Sequence, residues 1–298
     1  MISASAAGSW HLGDLVVRRL GFGAMRLTQS GRAFGGIPSD RGRAIATLQR
    51  AVELGVNHID TAAFYFSPLR SANELIGAAL APYPEDLVIA TKVGPGRDTW
   101  GEWTDAARPD QLRGQVEENL RQLGRDHLDL VNYRRQESVT SIAEYVGALA
   151  ELRDAGLIRH IGISGVDASH LDEAQAVAPI VCVQNPYSLT DRRPESEQLL
   201  RLCGERGIAF VPFFSIVGRA RHGGPAASEP EPLTGIARAH DATTAQIRLA
   251  WSLQQGEHVL IIPGTGSPEH IAENVAAGAI RLTAAELAAL DAVGAAAG

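Results

Sequence analysis

Asp60, Tyr65 and Lys92 are the residues whose types and positions could move a proton. Asp60 closes the stretch His58-Ile59-Asp60, Tyr65 follows in the next loop, and Lys92 closes Ala90-Thr91-Lys92. A tyrosine hydroxyl ionises near pH ~10 and is a poor acid at neutral pH. An ammonium beside it, itself held by a buried carboxylate, favours the phenolate and pulls that value down. Carboxylate, ammonium and phenol at one place therefore make a proton relay. Lys92 is also the single lysine among 27 basic residues. Arginine keeps its proton and presents a flat fork, whereas a lysine ammonium responds to burial, so the surviving lysine marks a place where that difference counts. Ordinary alternatives stand beside each reading. Asp60 could cap the next turn, Tyr65 could pack on a rim with Phe64 and Phe66, and Lys92 could be an exposed strand end or a lysine left by drift.

These residues need elements that bring them together. Short apolar or β-branched runs at Arg19 to Gly23, His58 to Ala62, Leu87 to Val93, Leu128 to Arg134, His160 to Gly165, Val181 to Asn185, Ile208 to Phe214 and Val259 to Gly264 predict eight strands. They recur about every 35 residues, the size of a βα unit. Amphipathic segments between them predict helices at Ser39 to Leu54, Ser71 to Leu80, Pro109 to Leu123, Ser141 to Ala155, Ala168 to Val177, Glu195 to Arg206, Thr243 to Gln254 and Pro268 to Ala277. No linker divides the series, so the expectation is α/β: one (β/α)8 TIM barrel domain over residues 1–298. An N-terminal hairpin at His11 to Val17, turning at Gly13-Asp14, plugs the bottom, and Thr283 to Ala297 adds a C-terminal helix. Chemistry in such a barrel sits at the C-terminal strand ends. Period-two alternation puts Asp60 on the face of His58, Lys92 on that of Ala90 and Arg134 on that of Asn132, all able to face the mouth. Two long loops, Gly94 to Arg108 and Gly218 to Pro232, are lid or binding-loop candidates.

Composition narrows the partners. The 298 residues are 45% hydrophobic and 20% charged, enough apolar material for a large core and not that of a disordered chain. A formal net charge of -7 without blocks of either sign argues against nucleic acid or an anionic membrane surface as partner. Cys182 and Cys203 lack metal-type spacing, and the nine histidines are scattered, which argues against a disulfide framework and a metal site. With no signal-like start and no membrane-length apolar run, the expectation is a cytoplasmic protein.

In their order and spacing, Gly21-Phe22-Gly23-Ala24-Met25, Gly55-Val56-Asn57-His58-Ile59-Asp60-Thr61-Ala62 with Tyr65, Ala90-Thr91-Lys92-Val93, Gly162-Ile163-Ser164, Val183-Gln184-Asn185-Pro186-Tyr187 and Ile262-Pro263-Gly264-Thr265 with Glu273-Asn274 resemble the aldo-keto reductases over essentially the whole chain. Within that family, Ile180 to Asn185, Gly207 to Phe214 and Leu260 to Thr265 are most similar to the bacterial pyridoxal reductase type. The resemblance implies hydride transfer from NADPH to a carbonyl. Tyr65 would donate the proton, Lys92 would lower its pKa and Asp60 would hold Lys92. It implies Ser164 and Gln184 on the nicotinamide carboxamide and Phe213 against the ring. Backbone at Gly264, Thr265 and Gly266 would hold the phosphates at a helix start. Glu273 and Asn274 would meet adenine, and Gly23, Ala24, Met25 and Asp60 complete the implied NADPH/NADP+ set.

The departures are Arg134 where most of the family has histidine, Gly165 for a common asparagine, Ser215 for a usual proline and His270 for an arginine that meets the 2′-phosphate. Arg134 donates but cannot titrate, so the resemblance leaves the acid role to Tyr65 alone and gives Arg134 a carbonyl oxygen or a carboxylate to bind. Arg219 and Arg221 are candidates for the missing charge. Phe64, Trp100, Arg134 and Tyr187, with Phe66, Trp103 and Phe214 nearby, are expected to wall the substrate pocket and suit an aromatic carbonyl compound. Alternatives are a carboxylate-bearing imine, whose protonated C=N needs less help from an acid, and a low-turnover NADP-binding regulatory subunit. Oligomeric state stays open.

Overall fold

The computed structural model describes residues 2–30, 36–98, 100–216 and 229–297. After a hairpin of β1 (Ser9–Leu12) and β2 (Leu15–Arg18), the main sheet among the described residues has seven strands, β3 (Phe22–Gly23), β4 (His58–Asp60), β5 (Val88–Val93), β6 (Leu128–Arg134), β7 (Ile158–Ser164), β8 (Ile180–Pro186) and β9 (Ala209–Phe213), beside two short antiparallel pairs in the loops. Each of the seven pairs in parallel with its chain neighbours, giving one curled sheet in the order of the sequence. The fold is the predicted (β/α)8 barrel, and β6 falls on the expected residues.

The eighth predicted strand is the exception. Val259 to Gly264 forms isolated bridges, Val259 to Phe210 on one side and Ile261 to Leu20 on the other. Main-chain bonds from Leu260 N to Phe210 O (2.9 Å) and from Gly21 N to Ile261 O (2.8 Å) still close the ring. Pro263 has no N–H to continue a ladder, which is why this stave is short.

Helices α1 (Arg41–Glu53), α2 (Ala72–Leu80), α3 (Leu112–Leu123), α4 (Ala143–Asp154), α5 (Ala168–Val177), α6 (Pro194–Glu205), α7 (Glu231–Ala239), α8 (Thr244–Leu253), α9 (Pro268–Ala276) and α10 (Ala284–Ala297) surround the sheet. Side-chain caps fix several starts: Asp40 accepts from Arg43 N, Asp167 from His170 N and Ser267 from His270 N. Helix α7 was not anticipated, since its first turn lies inside the segment read as a loop. Residues 218–228 of that loop, including Arg219 and Arg221, lie outside the described residues.

Alternation along the strands sorts the core into two layers. One set, including Ile59, Ile89, Val131, Ile163 and Val183, packs against the helices. The other, Val88, Ala90, Leu130, Cys182, Ala209, Val211 and Leu260, fills the barrel together with Leu12 and Val17 of the hairpin. The hairpin thus floors the barrel, and its turn residue Asp14 is tied to Arg159 (2.5 Å) and His160 (2.6 Å) at the start of β7. With the lower barrel filled, polar side chains are left to the upper ends. Among the described residues no helix is long and apolar enough to cross a membrane.

Candidate active site

Asp60 ends β4 and Lys92 lies one residue from the end of β5, on neighbouring staves and the same inward face. Their side chains meet at 2.5 Å and are 5% and 6% exposed. Lys92 Nζ also donates to the carbonyl of Thr61 at 3.0 Å, and the second Asp60 oxygen accepts from Gln184 Nε2 at 2.9 Å. Burial opposes the charge on Lys92, yet Asp60 and the Tyr65 hydroxyl outweigh it and hold the ammonium above its ordinary value. Tyr65, half-buried, lies beside Lys92, whose Nζ is 4.9 Å from the ring centroid.

The direction of the Tyr65 shift corrects the sequence expectation. Burial pushes the hydroxyl above its usual value, and this outweighs the downward pull of Lys92 and the smaller pull of Arg134, with Asp60 also acting upward. Desolvation penalises phenolate more than the neighbouring cation repays. Tyr65 therefore keeps its proton at neutral pH, the form a donor needs.

Behind Lys92 lies a buried polar network that the sequence reading missed. Thr61 Oγ1 donates to Asn73 Oδ1 (2.8 Å), while Asn73 Nδ2 (2.9 Å) and Thr91 Oγ1 (2.6 Å) both donate to Asn119 Oδ1. Asn73 on α2 and Asn119 on α3 are polar residues on buried helix faces, which is the signal that could have found them. Below Asp60, His58 is buried and neutral: burial lowers its pKa to about 4.

A chamber of about 250 Å³ opens over Tyr65 and Lys92. Arg134, Ser164, Gln184 and Phe213 line it from the ends of β6 to β9, Gly23, Met25 and Gly264 from the closing side, and Phe64 from the loop after β4. Gly23 and Gly264 press backbone against backbone, since a Cβ on either would lie within 2.6 Å of the other segment's carbonyl oxygen or its neighbour's. Ala24 is buried behind Gly23. Thr265 and Gly266 lead into α9, beyond the chamber wall, with His270 and Glu273 exposed on that helix and Asn274 buried.

Two substrate expectations are not met. Tyr187 is 2% exposed and stacks on Trp251 with centroids 5.6 Å apart, so it belongs to the core. Trp100 is 88% exposed and absent from the wall. Its place is taken by Trp103, edge-on to Phe64 at 5.7 Å, together with Phe214. Arg97 organises this side: its guanidinium donates to the carbonyls of Phe64 (3.2 Å) and Phe66 (2.8 Å) and lies over the Phe66 ring. Nothing in the local sequence marked Arg97 for that clamp.

Gln184 and Ser164 offer a test of whether a nicotinamide suits this wall. They pair across β7 and β8, both 1% exposed, and Gln184 Oε1 is buried without a hydrogen-bond partner. An unsatisfied acceptor beside a hydroxyl fits a carboxamide.

Residues 19–295 match the aldo/keto reductase family. The chain is 39% identical to pyridoxine 4-dehydrogenase of Escherichia coli (strain K12) over 294 residues, covering 97% of this chain and 99% of that protein. Among solved structures, the thermostable aldo-keto reductase Tm1743 in complex with the inhibitor epalrestat superposes with a TM-score of 0.79 at 32% identity, over 96% of this chain and 99% of that one. An aldo/keto reductase from Klebsiella pneumoniae in complex with NADP and acetate gives a TM-score of 0.76 at 27% identity, over 93% and 92% of the two chains. With the fold, the strand-end residues and the near-complete sequence match in agreement, this chain belongs to the aldo/keto reductase family of oxidoreductases.

Proposed function

We propose that this protein reduces the carbonyl group of a small aromatic aldehyde of the pyridoxal kind, with NADPH as cofactor and Tyr65 as proton donor, and that residues 1–298 act as one barrel domain. The observation that carries the reading is the chain Asp60–Lys92–Tyr65 ending in the same chamber as Ser164 and Gln184. Pyridoxine 4-dehydrogenase as a full-length relative supports the substrate class, and the bond between Gly21 and Ile261, which joins the two ends of the barrel, supports the single domain.

NADPH supplies a hydride when bound. Ser164 and Gln184 would hold its carboxamide, Phe213 its ring, and Gly23, Ala24, Met25, Gly264, Thr265 and Gly266 the adjoining segments. His270, Glu273 and Asn274 would meet the adenosine end. Asp60 fixes Lys92 as an ammonium, and that ammonium orients the Tyr65 hydroxyl and stabilises negative charge left on it. Phe64, Trp103, Phe213 and Phe214 exclude water and give an aromatic ring apolar walls. Arg134 donates to oxygen at the same wall without titrating.

Mixing NADPH-loaded enzyme with pyridoxal, and separately with a preformed imino acid, and following the reduced-nicotinamide absorbance in one turnover tests the reading. Rapid loss with pyridoxal is expected. Silence with pyridoxal and loss with the imine would overturn it in favour of C=N reduction.

A further inference from the structure

Residues 262–280, which the reading above assigns to the phosphate and adenosine end of NADPH, contain two carboxylates, Glu269 and Glu273, and neither lysine nor arginine. NADPH carries a 2′-phosphate that NADH lacks, with a charge of roughly −1.5 to −2 at neutral pH. Its counter-charge therefore has to come from another part of the chain.

Among the described residues, α1 brings a guanidinium to this place. Arg43 lies in the first turn of α1, which packs against α9. Its backbone is fixed there, since its N–H donates to Asp40 Oδ1 at 2.7 Å and its carbonyl accepts from Thr47 Oγ1 at 2.8 Å. From that turn Arg43 Nη2 donates to Ser267 Oγ at 3.0 Å and to Glu269 Oε2 at 2.8 Å. Arg41, in the same turn, is turned to Glu74 instead. Ser267 is the buried N-cap of α9, and its hydroxyl also donates to Glu269. The two partners of Arg43 differ in freedom. Ser267 is held by the fold, whereas the Glu269 side chain is 68% exposed and can turn into water. An ion pair this open to solvent is weak, so a phosphate can replace the carboxylate at little cost. Guanidinium keeps its charge, and its fork matches phosphate oxygens as well as carboxylate ones.

We propose that Arg43 reads the 2′-phosphate of NADPH from α1, with Glu269 as the exchangeable carboxylate that holds the guanidinium beside Ser267 until the phosphate takes its place. This rests on the placement of the adenosine end given above, and it is independent of which carbonyl compound is reduced.

The test measures Kd for NADPH and for NADH by quenching of protein fluorescence, at equilibrium and without turnover. The wild type is expected to bind NADPH the more tightly. Arg43→Gln should raise the NADPH Kd by about ten- to a hundredfold, the range of a hydrogen bond between charged groups, and leave the NADH Kd unchanged. Glu269→Gln removes the competing anion and should tighten NADPH with no effect on NADH. Added salt should weaken NADPH more than NADH in the wild type, and this difference should shrink in Arg43→Gln. An NADPH preference that survives Arg43→Gln overturns the proposal. Equal weakening of both nucleotides, with the salt response unchanged, also overturns it, because Arg43 would then only tie α1 to α9. Looser NADPH binding in Glu269→Gln overturns the exchange. Equal binding of NADPH and NADH by the wild type overturns the proposal and leaves carbonyl reduction standing, since the pyridoxal turnover can be run with either nucleotide. Binding of neither overturns both.

Discussion

Asp60 and Lys92 meet at 2.5 Å in a setting where each side chain is about one-twentieth exposed, and the same Asp60 is tied through its other oxygen to Gln184. One carboxylate therefore fixes both the ammonium that serves Tyr65 and an amide on the wall assigned to nicotinamide. Lys92→Met and Tyr65→Phe separate these duties. Turnover should fall by roughly 10²- to 10⁴-fold in each, the range of a positioned acid. Quenching of protein fluorescence by NADPH should stay near that of the wild type. Unchanged turnover in both variants would remove the relay from the mechanism.

Asp60→Asn leaves the Lys92 cation buried without its counter-charge. Breaking such a pair from one side costs about 3–5 kcal/mol, because an isolated charge stays behind in a poorly polarisable setting. Urea unfolding should show that loss, and the double variant Asp60→Leu with Lys92→Met should recover most of it while remaining inactive. A single variant as stable as the wild type contradicts the burial argument.

His58 sits below this pair, and burial lowers its pKa from 6.5 to about 4. A depressed value means that the unfolded chain takes up a proton the folded chain refuses, so stability falls as pH drops from 6.5 towards about 4 and levels off below. The contribution across that window is about 2–4 kcal/mol. His58→Asn should flatten that part of the stability curve relative to the wild type. Parallel curves for the two proteins would show that His58 does not titrate in this way.

Asn119 is fully buried and accepts from both Thr91 and Asn73. Asn119→Leu fills similar space but leaves the Thr91 hydroxyl without its acceptor, a loss of about 1–3 kcal/mol. Thermal unfolding should register it. A neutral result would mean that the network rearranges around Gln122, which already accepts from Asn73 at 3.0 Å.

Much of this protein is local and therefore legible in its sequence. Strand periodicity alone put Asp60, Lys92 and Arg134 on inward faces, because successive side chains in a strand alternate whatever surrounds them. The boundaries of β6 and α5 came out residue for residue, and Ser164, Gln184, Phe213 and Gly264, which the resemblance assigns to the cofactor, line one chamber. The eighth stave was overread because its apolar run gives no hint that Pro263 would leave only isolated bridges.

What depends on sums over distant residues was not legible. Tyr187 and Trp100 look equally able to wall a pocket, yet packing on Trp251 takes one into the core and the loop after β5 turns the other outward. The upward shift of Tyr65 is a contest between burial and a cation, and burial is not a property of any segment. The two departures at 134 and 165 read as separate oddities in the sequence, 31 positions apart. They became one feature only when the strand register set Arg134 beside Ser164, because the space a side chain leaves is decided by which neighbour the tertiary fold brings into it.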